Sequence, residues 1–406
     1  MKTPRYDQIL FRWTTLASLL LGAGYSQARP QFAVRYGINR CTQCHVSPVG
    51  GGARNIMGKT IGSFGFKPSP WSTQDKFGAD VKMIYLRSTN PRLNKGGLGL
   101  MNGSVYASLP LSESESAVRL VAEQNLGGFN PGPRHWYARI ALSPEGKSQW
   151  APQYILLGRF IPAFGLMTDE HRNYVRTLTG NNWNSGFDTG VSLSSNPIES
   201  LHYDLALMNG KKNSGQSLAQ GNADRWGAVL NLRWMPTNWP LAVGASANWY
   251  GADDKSSAAQ AQSIYGILSI QRWSDNKVPV TWSVEVARAE EWNSFFSGSF
   301  VSDPVYASVV AHTPAAALHS TLEYDLRPTI TLQYMFDELR LNTKYPADAY
   351  QRHGAGARLR FADNAWLLVR WERALAGHQA ERESKSGGSG KTGITDGVWA
   401  VLSLAL

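Results

Sequence analysis

Cysteine is almost missing: the 406 residues contain two, Cys41 and Cys44. A four-cysteine zinc site within one chain is thereby excluded, and a single disulfide remains as a competing use of the pair. Long hydrophobic runs are missing as well. No later stretch supplies the ~18 consecutive apolar residues of a membrane-spanning helix. Clusters of basic residues are also lacking. The net charge is +10, from 40 Lys and Arg against 30 Asp and Glu, but the cations are scattered along the chain. With export, this argues against a nucleic-acid partner. No hydrolytic or phosphate-binding constellation stands out, and the Gly-x-Gly patterns lack a strand-to-helix context. No catalytic residue is therefore expected, and an enzymatic role is left open.

The first 28 residues read as a secretory signal. Lys2, Arg5 and Arg12 form a positive start, Trp13 through Leu21 a short apolar core, and Ser26-Gln27-Ala28 a small-residue cleavage region. The apolar stretch is too short for a spanning anchor, which needs ~20 residues. Just inside the mature chain stands Cys41-Thr42-Gln43-Cys44-His45. This spacing is that of a c-type haem attachment site. Two thiols form thioethers to one haem c, and His45 is placed as the proximal iron ligand. A thioredoxin-like dithiol needs a βαβ context, and none surrounds it. Arg54 and Lys59 are candidate partners for haem propionates, or solvated cations. The segment 29–76 is too short to bury a haem in a core of its own. It runs straight into the rest of the chain, which is then expected to complete the pocket.

From about residue 77 the texture changes to period-two alternation, the signature of strands. Trp136, Ala138, Ile140 and Leu142 share one face, with His135, Tyr137, Arg139 and Ala141 on the other. The same alternation runs through 226–234, 318–327 and 357–361. Many segments approach the ~10 residues that a tilted strand needs to cross hydrocarbon. Fifteen Trp and 16 Tyr suit the aromatic girdles of a membrane barrel. About sixteen strands are read, starting near 78, 98, 117, 134, 150, 185, 201, 224, 240, 262, 278, 316, 329, 353, 365 and 396.

Connections after odd strands read as long and polar: 89–96, 124–133, 166–184, 211–223, 252–260, 293–303, 343–351 and 376–395. Those after even strands read as tight turns, at 143–146, 196–197, 236–238, 275–277, 327–328 and 363–364. Residues 304–314 belong to an external loop or form an extra strand. The expected fold is all-β: one outer-membrane antiparallel barrel (77–406) in contact with lipid, its lumen plugged by the haem segment (29–76). Arg119, Glu123, Arg139, Arg233, Glu323, Arg358, Arg360, Arg370 and Glu372 are expected to face the lumen. Asp169 and Glu170 are a candidate site for a divalent ion at the outer mouth.

These features resemble the outer-membrane cytochrome–porin fusions of iron(II)-oxidising bacteria. The resemblance rests on the signal, on Phe32-Ala33-Val34-Arg35-Tyr36-Gly37 leading into Cys41–His45, and on the strand count. It implies a monohaem segment inside or under a barrel. Such a segment takes electrons from an extracellular donor such as iron(II) and passes them to a periplasmic cytochrome or other carrier. Gly50-Gly51-Gly52 and Arg54-Asn55 are closer to a related group of monohaem porins, which leaves the iron specificity open. In large porins the loop after the fifth strand folds into the lumen. Here that loop carries His171, one candidate for the distal iron ligand, with Met57 the local rival. The alternative function is a diffusion porin whose haem segment gates the channel or senses redox state.

Overall fold

The computed structural model describes residues 76–88, 97–111, 117–128, 131–143, 149–167, 173–179, 186–209, 226–251, 259–275, 277–290, 313–343, 349–362, 365–375 and 394–405. Cys41, Cys44, His45, Met57, Asp169, Glu170 and His171 lie outside them.

The described residues form sixteen strands: β1 (Phe77–Ser88), β2 (Gly97–Pro110), β3 (Val118–Gly128), β4 (Gly132–Ala141), β5 (Tyr154–Phe160), β6 (Asp188–Ile198), β7 (Leu201–Met208), β8 (Gly227–Trp234), β9 (Leu241–Tyr250), β10 (Ala259–Ser269), β11 (Val280–Glu290), β12 (Ala315–Arg327), β13 (Ile330–Arg340), β14 (Ala349–Ala362), β15 (Ala365–Leu375) and β16 (Ile394–Ala405). Each pairs antiparallel with its neighbours in sequence, and β1 pairs with β16 from Asp80 opposite Ala405 to Ser88 opposite Gly397. The barrel is closed. No strand edge is left to seek partners, which is what a sheet in lipid requires. Among the described residues, two short helices interrupt the connections, α1 (Tyr174–Thr179) and α2 (Ile270–Trp273). No helix among the described residues is long and apolar enough to cross a membrane.

The alternation sorts the side chains as expected. Trp136, Leu230, Leu232, Leu322, Leu359 and Val369 are exposed on the outer face. Their neighbours Tyr137, Val229, Asn231, Thr321, Arg358 and Arg370 are buried within. Both ends of the β8–β9 hairpin carry a tryptophan pair: Trp226 and Trp249 with ring centroids 5.0 Å apart, Trp234 and Trp239 at 5.4 Å. Trp226 and Trp234 stand about 26 Å apart along the strand at ~3.3 Å per residue. That suits two aromatic girdles around an apolar band.

Several connections differ from expectation. The link between β3 and β4 is only 129–131, not a long loop over 124–133. Bulges at Gly103/Ser104 and Ala122/Gln124 let the strands run on, and Gly128 (φ 89°) and Gly132 (φ 143°) make the tight turn. The expected turn at 143–146 is instead part of a longer connection, 142–153. Its later residues attach to the β6 end, with the Gln149 amide donating to the Asn196 carbonyl and Gln153 to Ser194. Asn196-Pro197 is not a turn: β6 continues to Ile198 and turns at Glu199-Ser200. A register shift between Ser195 and Ile198 accommodates the proline, which cannot donate to the ladder. The turn near 275–277 also carries α2. Of 304–314, only Thr313 and Pro314 are described, leading into β12.

Candidate functional site: the barrel lumen

The connection after β5 turns inward. The Gly165 amide donates to Ser246 Oγ on β9 at 2.8 Å, and the Leu166 amide to Glu285 Oε1 on β11 at 3.1 Å. Gly165 has φ 63°, and a Cβ there would collide with the Glu285 carboxylate. Only glycine lets the chain lie this close to the wall. Glu285 is held from its own side by Ser263 Oγ at 2.6 Å.

Asn173 caps α1 by accepting the Arg176 amide at 2.6 Å. The Arg176 guanidinium reaches back to the Phe164 and Leu166 carbonyls, so the two arms of the connection are tied together. Burial pulls its pKa below the ordinary value, while Glu285 and Tyr265 oppose that pull. Phe164, Val175 and Leu178 are fully buried. They join one apolar cluster with Val121, Tyr137 and Leu156 from β3, β4 and β5 and with Ala287, Ala317 and Leu339 from β11, β12 and β13. The segment therefore spans the lumen and narrows it.

The helix is fixed by a charged chain along the inner wall. The Tyr174 amide faces Asp337 Oδ1, and His319 Nδ1 lies 2.7 Å from the same oxygen. Arg352 reaches Asp337 Oδ2 at 2.5 Å and lies 4.9 Å over the Tyr174 ring. Its other nitrogen is 3.9 Å from Glu372, which also takes Arg370 at 2.7 Å and the Trp399 indole N–H at 2.5 Å. Buried charges need such partners. A second knot joins His202 to Asp204 and Asn196, each at 3.0 Å, near the short-turn end.

Of the nine residues expected in the lumen, Arg119, Glu123, Arg139, Glu323, Arg358, Arg370 and Glu372 are buried on the inner face. Arg233 is half-buried there. Arg360 shares that face but turns to the rim, donating to the Pro328 carbonyl. Arg134, Arg159, Arg176, Glu285 and the His319–Asp337–Arg352 set were not anticipated. Alternation over 318–327 puts His319 on the same face as Glu323, but its partners depend on the registers of β12, β13 and β14, which alternation does not supply. Among the described residues, no group of three or more His, Cys, Asp or Glu could hold a metal ion.

Beside the charges lies an apolar stretch of the same wall. At the seam where the chain's two ends meet, Ile84, Leu86, Met101, Trp366, Leu368, Trp399 and Val401 form one cluster. Rungs of the ladder align Ile84 with Val401 and Leu368, and Leu86 with Trp399 and Arg370. The guanidinium of Arg370 lies 4.3 Å over Trp399, and that of Arg358 5.5 Å over Trp366.

No protein-family model matches the chain, and no curated protein does. Solved structures do. A refined porin superposes with TM-score 0.51 at 10% identity, covering 81% of this chain and 99% of that one. The outer-membrane channel DcaP of Acinetobacter baumannii gives 0.52 at 10%, covering 81% and 96%. OprB of Pseudomonas putida at high pH gives 0.54 at 8%, covering 81% and 93%. The chain has the fold of these porins.

Proposed function

We propose that the chain is an outer-membrane diffusion channel of the porin type, whose N-terminal segment carries one c-type haem as a redox-responsive plug. The observation that carries the channel reading is the inward segment, 161–167 with α1, which narrows a closed barrel lined by charged side chains. Solutes would pass the remaining lumen, and the wall would sort them by size and charge. Long connections such as 209–226 and 376–393 would face the exterior, and both ends of the barrel chain the periplasm.

Cys41, Cys44 and His45 are the residues that would hold the haem, which when bound supplies a one-electron couple. The seam supports the plug. A lumen wall of Trp366, Leu368, Trp399, Val401 and Ile84 suits a flat apolar group or the segment that carries it. That wall includes β1, the strand into which the haem segment leads. Arg358 and Arg370 at its margin complement carboxylates.

The second reading is electron transfer across the outer membrane. The motif Cys41–His45 favours it, with a periplasmic carrier on one side and an external donor or acceptor such as iron on the other. Visible spectra and planar-bilayer recordings of the detergent-purified protein, oxidised and then dithionite-reduced, test the two. A c-type spectrum with conductance that changes on reduction is the expected result. Haem without conductance in either state would favour the electron conduit. Conductance without haem would leave a plain porin.

A further inference from the structure

We propose that the outer face of β8–β13 holds one phosphorylated lipid of the external leaflet. One acyl chain would lie in a groove on β8 and β9, and a phosphate on Arg288 and Arg340. The inference rests on the orientation proposed above, with the long connections outside.

The groove comes from two alanines. On the outer face, Ala228 of β8 stands opposite Trp249 of β9, and Ala247 of β9 opposite Leu230 of β8. Leu205 of β7 and Gln262 of β10 extend the second rung to either side. The short side chains leave a groove of about 220 Å³ among Leu205, Leu230, Trp249 and Gln262. That is below the ~300 Å³ at which pockets for whole small molecules begin. A stretch of acyl chain is the group that fits a groove of this size on a lipid-facing wall.

The same rung carries the cations. From Ala247 it continues through Gln262, Arg288 and Ala316 to Arg340, all on the outer face. The rung climbs as it goes. Ala247 stands three residues before the end of β9, Arg288 two before the end of β11, and Arg340 closes β13. Arg288 is two strands from Ala247, or ~10 Å at ~4.8 Å per strand. The groove therefore lies deeper in the bilayer and the cations nearer the headgroups.

Arg288 and Arg340 flank Ala316, and their side chains are 59% and 43% exposed. Arg288 donates through Nη2 to Glu290, and Arg340 through Nε to Glu338. Glu290 also accepts from the Gln260 amide at 2.7 Å. A guanidinium has five N–H donors, so donors remain on both for a phosphate lodged between them. The arrangement is local. Among the described residues, the outward side chains nearest the long-connection ends of β3 and β7 are Leu126 and Leu207. A general interfacial collar would carry cations there too.

Native mass spectrometry of the full-length protein in detergent, stripped of lipid and titrated with diphosphoryl lipid A, tests the site. Saturable one-to-one binding is expected. It should be at least tenfold weaker in R288Q/R340Q and in A247F, which fills the groove. R373Q, on the outer face of β15, should bind as the unmodified protein does. Equal binding of phosphatidylcholine, or an equal loss in R373Q, would overturn the proposal by reducing the effect to general lipid contact. Displacement by inorganic phosphate alone would overturn it in favour of a free-anion site. An oligomer that A247F abolishes, with lipid binding intact, would overturn it in favour of a second copy in the groove. Gel mobility shows whether each variant keeps the folded barrel, and the arginine variants decide alone if A247F does not. Neither haem, conductance nor orientation enters the readout, so failure here is separable from failure of the channel and plug.

Discussion

Two stretches of the same inner wall are built by one rule and filled with different chemistry. On β15, β16 and β1, charges come with partners: Arg370 with Glu372 at 2.7 Å, Lys82 with Asp80 at 3.7 Å. Tryptophan and aliphatic side chains fill the rungs between them. On β3–β5 stand four arginines and one glutamate, with Asp188 of β6 beside Arg159. Both stretches present every second residue inward and complete the same ladder. The ladder and the lipid-facing side chains suffice to make the barrel, so the inner face is free to differ from strand to strand. One stretch is mostly apolar between its paired charges, the other mostly cationic.

The largest expected effect lies on the apolar side. Trp399→Ala removes a buried indole and the donor to Glu372, and should cost about 3–5 kcal/mol. Urea unfolding of the folded protein in lipid, followed by gel mobility, would measure it. A loss near zero would mean that the seam is wetted, and the contrast between the two walls would disappear.

Asp337→Ala comes next. It leaves His319 and Arg352 buried beside a vacated carboxylate site, at a cost of about 3 kcal/mol. It also removes the acceptor facing the Tyr174 amide. Channel conductance should rise in the same variant as α1 loosens. Destabilisation with unchanged conductance would show that Asp337 serves the wall and not the constriction.

Gly165→Ala should cost about 1–2 kcal/mol for its left-handed backbone alone, and more from the collision with Glu285. The inward segment would have to lift from β9 and β11, so the effect should be larger on conductance than on the unfolding midpoint. Equal conductance in the two proteins would show that the segment is held by α1 and not by this contact.

How much of this was legible from sequence follows from what each feature depends on. The strands were readable because inside and outside alternate with period two, and that period survives in any closed barrel. All sixteen begin within four residues of the expected positions. Connections were harder, since a bulge such as Ala122/Gln124 shifts the register without a distinctive composition, and Pro197 resembled a turn while sitting in a bulged strand end. The inward course of the segment after β5 agrees with what porins suggested, but its anchors at Ser246, Glu285 and Asp337 come from strands 81 to 163 residues later. For the same reason Arg119 and Arg139 were each placed in the lumen while their direct opposition went unseen.

The smallest expected effect on stability is on the arginine side, and it has the opposite sign. Arg119→Gln relieves a like-charged cross-strand neighbour, a term of about 0.2–1 kcal/mol. The unfolding midpoint should stay level or rise slightly. No packing residue behaves this way, because loss of a side chain that fills space lowers stability. If Arg119→Gln instead destabilised the barrel as much as Trp399→Ala, both walls would be held by the same kind of packing. The arginine pair would then be structural, and the contrast between the two walls would fail.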